Sequence, residues 1–388
     1  MQKIVQKSLF TILGVTLISA LTGPMSHAQE ESWADKLKIS GDFRLRQDYS
    51  ITSEAPAVTG DTDTSRFRSR IRGRIKLQAQ VDENVQILTR ITTAENGSPT
   101  SGNTTFTSSG QYKSIYFDQA YAKISHFGVE ARLGKMENPI YKSGDSELIW
   151  DNDFTPEGAS ASYKLDMGDM ALTFLGFGYW IEERKQTATA DGVDTGLLGG
   201  QLIATYSQED SMAANIYVSS FNFTNMATRS PIYANGASDG SKGNTFNGTS
   251  PNLTYANNYH LINAGLDVSL DMLPIKTKIY FDWVQNTLVD NKNEGFITGL
   301  TLGSMKKQGE WMLGFNWRET EQDAVVAGLQ DSDFADGLVN SKGGTVIVGY
   351  GLTDATSIRL WVSQARIYMT ETTATDYTRG LFDIAWKF

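Results

Sequence analysis

The chain has no cysteine among its 388 residues and only three histidines. Without cysteine there can be no disulfide framework and no thiolate metal site. His27, His126 and His260 lie far apart, so no local histidine motif of the kind that zinc requires is present. No metal and no cofactor is expected. A Gly-x-Ser-x-Gly nucleophile elbow is also missing, and nothing places a base beside a nucleophile, so the pattern is not that of an enzyme. Basic residues are in deficit, with 34 Lys and Arg against 44 Asp and Glu and a net charge of −10. That balance opposes a nucleic-acid partner, because binding phosphate wants a basic face. Beyond the first two dozen residues no apolar run reaches the roughly 20 residues of a membrane helix.

The first segment reads as an export signal. Lys3 and Lys7 precede an apolar stretch over 9–21, and Ser26-His27-Ala28 places small residues at the −3 and −1 positions of a cleavage site. Residues 1–28 are expected to be removed after Ala28, with 29–388 as the mature domain. The alternative, an N-terminal anchor, suffers from an apolar run shorter than a bilayer needs. An exported chain without a membrane helix can enter a bilayer only with strands.

From Lys36 onward the dominant period is two. Leu37, Ile39, Gly41, Phe43 and Leu45 share one face of a first strand; Lys38, Ser40, Asp42, Arg44 and Arg46 share the other. In the second, Phe67, Ile71, Ile75 and Leu77 alternate with Arg66, Arg68, Arg70, Arg72, Arg74 and Lys76. Such strands run ten residues or more, the length a tilted membrane strand needs and about twice the soluble average. Short turns such as Asp82-Glu83-Asn84 and Gln208-Glu209-Asp210 alternate with long polar loops, the longest near 222–257. The expected fold is all-β: a transmembrane antiparallel barrel with short periplasmic turns and long external loops. About sixteen strands are expected, starting near 36, 66, 85, 115, 128, 158, 170, 196, 212, 259, 275, 296, 310, 343, 356 and 377. Seven short turns and eight long loops join sixteen strands with both termini on the short-turn side. The fourth strand, from Ile115, has no clear face, and the seventh, from Met170, is apolar on both.

Three groups of residues stand out. Arg66, Arg68, Arg70, Arg72, Arg74 and Lys76, extended by Arg44 and Arg46, form a basic row that faces a lumen if the polar face points inward. On the lipid face each such charge would cost about 2–4 kcal/mol at mid-bilayer. The third long loop, 136–158, carries Asp145, Glu147, Asp151, Asp153 and Glu157. Folded inward it would oppose the basic row and select among ions, as charged rows at a constriction do. The bland alternatives are basic and acidic residues that merely pair to stiffen the wall, and an external loop that binds divalent cations or lipopolysaccharide. Finally, Phe382, Ile384, Trp386 and Phe388 line one face of the last strand, an aromatic ending that resembles the C-terminal signal read by the outer-membrane assembly machinery. A further acidic run, Asp323, Asp331, Asp333 and Asp336, lacks the spacing of a known calcium loop.

Several segments in order resemble the putative porin family of Gram-negative bacteria. They are the Arg-alternating second strand, Asp118-Gln119-Ala120-Tyr121, Gly134-Lys135-Met136-Glu137-Asn138-Pro139, Trp150-Asp151-Asn152-Asp153 with Pro156-Glu157-Gly158, Gly309-Glu310-Trp311, and Asp323-Ala324 leading to Asp331-Ser332-Asp333-Phe334. The resemblance implies an outer-membrane diffusion pore, a homotrimer seated in lipid and lipopolysaccharide that passes small hydrophilic solutes. Two other readings stand beside it: a plugged structural or adhesive barrel that binds a partner through its external loops, and an outer-membrane hydrolase.

Overall fold

A strand with one oily and one polar side is stable in lipid only if its backbone is fully paired, and ring closure achieves this by removing sheet edges. The computed structural model describes residues 36–55, 63–186, 192–233, 242–249, 252–368 and 373–388. The expected signal segment and its cleavage site at Ala28 lie outside the described residues.

The barrel strands are β1 (Leu37–Ala55), β2 (Thr64–Gln80), β3 (Val85–Thr93), β4 (Ile115–His126), β5 (Val129–Lys135), β6 (Glu157–Met167), β7 (Met170–Glu182) and β8 (Thr195–Gln208). They continue with β9 (Met212–Thr224), β10 (Tyr259–Leu270), β11 (Thr277–Asn286), β12 (Glu294–Gly303), β13 (Trp311–Thr320), β14 (Ser341–Gly351), β15 (Thr356–Tyr368) and β16 (Ala374–Lys387). Each pairs with its neighbours in sequence, and β1 closes antiparallel onto β16 with Asp42 opposite Lys387 and Arg46 opposite Asp383. The seventeenth member of the sheet is only the two-residue piece Thr104–Thr105, which docks on Arg70 and Ile71 of β2. All sixteen strands start within three residues of the expected positions, the last at Ala374 rather than 377.

The two strands without a clear sequence pattern have physical explanations. In β4 the register against β3 slips: Arg90 faces Gln119 but Ile91 faces Phe117, leaving Asp118 as a bulge. A bulge moves the alternation by one residue, so no single face persists. In β7 both faces are apolar because the outer face belongs to the exposed apolar belt and the inner face packs on the apolar filling of the lumen. Phe174 and Trp180 point outward, while Leu175, Phe177 and Tyr179 point inward and are almost fully covered.

The outer surface is the expected apolar belt, with Ile75, Leu77, Ile216, Leu313, Phe315, Val362 and Phe382 exposed along it. The chain end completes the ring: Gly41 and Phe388 exchange backbone hydrogen bonds of 2.8 and 3.1 Å. Trp386 packs at 5.8 Å between ring centroids on Phe43, next to Phe388 on the same face.

The lumen is partly filled. Segments 136–156 and 321–340, with described parts of 225–258, bury an apolar cluster that includes Leu148, Trp150, Met226, Tyr255, Val325 and Leu329 against the wall. Trp150 is the centre of it, stacked on Phe154 at 5.6 Å and edge-on to Phe221 at 5.3 Å. Phe and Trp rings at such spacings gain roughly 0.5–1.5 kcal/mol beyond the area they bury.

Candidate functional site: an infolded loop against an arginine wall

The segment 136–156 leaves β5 and returns to β6, yet most of its contacts are with distant strands. Tyr141 pairs both ways with Gln201 of β8, its backbone N–H donating to the side-chain oxygen at 2.8 Å and its carbonyl accepting from Nε2 at 2.9 Å, and its hydroxyl donates to Asp267 of β10 at 2.5 Å. Ser143 Oγ donates to the carbonyl of Phe281 on β11 at 2.8 Å. Gly144 lies flat on Tyr280: its φ is +60°, and an added Cβ would stand 2.3 Å from that ring. Nine residues later Asp153 reaches Arg72 at 3.3 Å and Arg74 at 3.2 Å, both on β2. In a ring of sixteen, β2 and β10 stand opposite each other. The segment therefore crosses the lumen.

The basic row on β2 faces inward and meets carboxylates at nearly every step. Asp48 of β1 takes Arg68 at 2.6 Å and Arg70 at 3.5 Å; Asp42 of β1 takes Arg72 at 3.0 Å and Arg74 at 2.6 Å. Lys76 reaches Glu137 at 3.5 Å, and Arg66 is exposed at the outer end of the strand. On β1, Arg46 is almost wholly buried between Asp383 of β16 and Asp333, each at 2.7 Å. Arg44 is different: its hydrogen-bond partner is the neutral amide of Asn103 at 2.7 Å, and its nearest carboxylate, Asp383, is 3.9 Å away.

The acids expected in the infolded loop take four separate positions. Asp153 is on the arginine wall. Burial alone would raise its carboxyl, but Arg72, Arg74 and Arg44 outweigh that and hold it at about 2. Glu147 and Asp151 meet Asp331 from the 321–340 segment, with one oxygen from each within 4.8 Å of the others. Asp145 is exposed, and Glu157 sits at the rim on Lys135 at 3.0 Å. The acidic run of the 321–340 segment is likewise divided. Asp323 is saturated by Thr245, Asn257 and Tyr259; Asp331 pairs with Arg318 at 3.0 Å; Asp333 pairs with Arg46 and Arg379.

Asp42, Asp48, Asp383, Asp333 and Arg379 belong to the site although the sequence reading did not single out their pairing. Asp42 and Asp48 alternate with Arg44 and Arg46 on one face of β1, so that signal was present. Nothing in the sequence reveals that Asp333 would reach Arg46 from across the chain.

Above the crossing loop an outer vestibule of about 540 Å³ is lined by Tyr116, Asp118, Asp153, Phe154, Ile232 and Leu329, among others. Below it the inner wall carries Lys123, Glu130 and Arg132 in half-exposed pairs.

A closed sixteen-stranded barrel with an apolar belt, a charged lumen and a loop folded across it defines a channel-type outer-membrane barrel. The chain belongs to the putative porin family, whose model matches residues 49–263 and 252–388. It is an outer-membrane porin that forms a water-filled channel. Among curated proteins none matches it. Solved structures with the same fold include Pseudomonas putida OprB, at 10% identity and a TM-score of 0.55, covering 94% of this chain and 100% of that one. Salmonella typhi OmpF in complex with daunomycin matches at 11% identity and 0.51, covering 92% and 100%. A loop L8 deletion mutant of Vibrio cholerae OmpT matches at 8% and 0.51, covering 91% and 100%.

Proposed function

We propose that small hydrophilic solutes diffuse from the outer vestibule past the Asp153–Arg74 contact and along β2 to β5 into the inner funnel. The observation that carries this is the crossing loop: it places one carboxylate against two largely covered guanidiniums that keep an edge toward water, beside a wall that stays polar above and below. Charges at a constriction act on ions through the field they set across it. Here the row from Arg68 to Lys76 is largely neutralised by Asp42, Asp48, Asp153 and Glu137, so the channel discriminates weakly by charge. Arg44, held by an amide, leaves a small excess of positive potential and a mild preference for anions.

The chain works as a homotrimer in lipid and lipopolysaccharide after removal of residues 1–28 and insertion by the assembly machinery, which reads Phe382, Ile384, Trp386 and Phe388. It passes solutes without chemistry and needs no cofactor. Reversal potential of the purified protein in planar bilayers under a salt gradient tests the reading. A modest anion preference that shifts toward cations in Arg72→Ser/Arg74→Ser supports it; protein that inserts without conducting at any voltage overturns it.

A further inference from the structure

The two segments that fill the lumen meet at three carboxylates. Glu147 and Asp151 come from the crossing loop and Asp331 from 321–340, with oxygens within 4.8 Å of one another. Asp151 and Asp331 are more than nine-tenths buried, while Glu147 keeps some contact with water. Three carboxylates this close cannot all ionise, because each charge opposes the next.

The charged groups around them do not resolve the conflict. Arg318 of β13 is spent on Asp331 at 3.0 Å. Lys142 is turned to the carbonyl of Trp150 and to Asn152. Lys242 faces Asp151 and Asp336 from the 225–258 segment, Tyr280 faces Glu147 from β11, and Asp153 adds a further negative charge beside Asp151. Backbone donors offset only part of the charge: Asn152 N–H donates to Glu147 at 2.8 Å, Asp153 and Ser332 N–H to Asp151 at 2.8 and 3.1 Å, and Asp333 N–H to Asp331 at 2.8 Å.

A second observation marks the cluster as one state of two. Arg318 is 4% exposed, and its Nε and Nη1 have no partner although its Nη2 reaches into the cluster. A buried guanidinium with two spare donors costs stability. It is matched only when a second carboxylate there carries charge, and the guanidinium can then exchange Asp331 for Glu147.

We propose that Glu147, Asp151 and Asp331 form a proton-held latch: shared protonation keeps the crossing loop docked on the 321–340 segment, and ionisation of the cluster separates the two and widens the lumen. Burial, then Asp331, pushes the Glu147 carboxyl up to about 8, and burial, then Glu147, raises Asp151 well above its ordinary value. A carboxyl raised in the docked state favours docking below its ordinary value of 4.5, and docking is lost as pH rises toward about 8. Each pH unit in that window weakens docking about tenfold per proton released.

The proposal rests on the crossing loop bounding the pore, and the two are separable. Full-length protein in planar bilayers is compared between pH 5 and 9 with Glu147→Gln, which carries no titrating proton there. The expected result is a rise in wild-type conductance between pH 7 and 8.5 that is absent in Glu147→Gln, which stays at the low-pH level. Infrared difference spectra of the same proteins in detergent read the carboxyl directly. A protonated-carboxyl band lost through the same interval in wild type, reduced in Glu147→Gln and missing from Glu147→Gln/Asp151→Asn is expected. A wild-type conductance that is flat with pH, or a Glu147→Gln variant that titrates like wild type, overturns the latch. Closure of the channel at pH 8.5 by millimolar calcium and its reversal by chelator would also overturn it, because a cation rather than a proton would then hold the cluster. Absence of conductance at every pH with an intact infrared titration would overturn the pore reading and leave the shared proton standing.

Discussion

Asp153 and Asp333 grip one arginine wall from two different loops, the first through Arg72 and Arg74, the second through Arg46 and Arg379. Each is positioned the same way. Two residues earlier an aspartate, Asp151 or Asp331, accepts the hydrogen bond from its backbone N–H at 2.8 Å. An aspartate bonded to the backbone two residues on is a compact turn that fixes where the following side chain points. The sequence thus repeats one hook, Asp-x-Asp, and both copies end on the lumen wall. The inner aspartates of the hooks are the ones that meet Glu147, so the wall contact and the contact between loops share a scaffold.

Removing the charge from one hook should change selectivity more than stability. In Asp153→Asn, Arg72 and Arg74 keep Asp42 but lose the loop carboxylate. The wall gains positive potential, and the loop loses charge-assisted hydrogen bonds worth about 2 kcal/mol. The expected outcome is a reversal potential shifted toward anions by several-fold in permeability ratio, with unchanged thermal unfolding of the barrel. An unshifted reversal potential would remove Asp153 from the constriction.

Arg46 is a different case because it is almost wholly buried and holds two carboxylates at once. Burial would raise the Asp333 carboxyl, yet Arg46 and Arg379 outweigh it and keep it far below the carboxylate range. Arg46→Ala leaves Asp383 with Arg359 at 2.8 Å and Asp333 with Arg379 at 3.3 Å, so the loss at the β1–β16 seam falls at the low end of the roughly 3–5 kcal/mol that breaking a buried pair costs. Urea unfolding in detergent, followed by tryptophan fluorescence, should show a loss of about that size. Arg46→Met, which keeps the volume, should lose nearly as much, since the charge lost beside Asp383 and Asp333, and not lost packing, is the cause.

The wall was legible in the sequence and its filling was not. Strand starts such as Val85, Ile115, Met170, Met212, Tyr259 and Thr356 follow from period-two alternation and short turns, which are local signals. The inward row on β2 and the aromatic face of β16 follow from the same signal. The destinations of the loops depend on contacts between residues hundreds of positions apart, such as Arg46 with Asp333. Alternation carries no information about these. The apolar inner face of β7 made sense only with Trp150 and its cluster in the lumen. Asp118 hid the pattern of β4 by bulging.

Acid should undock the crossing loop from its wall side. Asp153 ordinarily titrates near 3.8 and is held at about 2, so its contribution to docking is complete above the ordinary value and is lost as pH falls toward about 2. Pepsin should therefore begin to cut within 136–156 below pH 3 while the strands stay intact. Asp153→Asn, already lacking the contact, should be cut at pH 4 as readily as wild type is near pH 2. Equal resistance of the two proteins at pH 4 would refute the assignment.

Deleting Phe388 removes two backbone hydrogen bonds to Gly41 at the closing seam, together with an outward ring beside Trp386. Folding into detergent micelles, followed on unheated gels, should slow and reach a lower yield than wild type. Phe388→Tyr keeps the backbone pair and an interfacial ring and should fold normally. If the deletion folds like wild type in micelles yet fails to reach the outer membrane in cells, the residue serves recognition by the assembly machinery rather than closure.

Gly144 gives the sharpest test of whether the loop crosses the lumen. Its φ of +60° is a conformation that glycine adopts freely and a Cβ disfavours. More decisively, the Cβ of an alanine would lie 2.3 Å from the Tyr280 ring on β11, far inside van der Waals contact. The ring is buried against the apolar cluster and has little room to retreat. Gly144→Ala should therefore lift the loop from β11 while Asp153 still holds its other end on β2. Single channels should show larger conductance and more flicker than wild type. The double variant Gly144→Ala/Tyr280→Ala removes the clash and should quieten them again. If Gly144→Ala alone conducts like wild type, the loop does not rest on β11, and the crossing path fails with it.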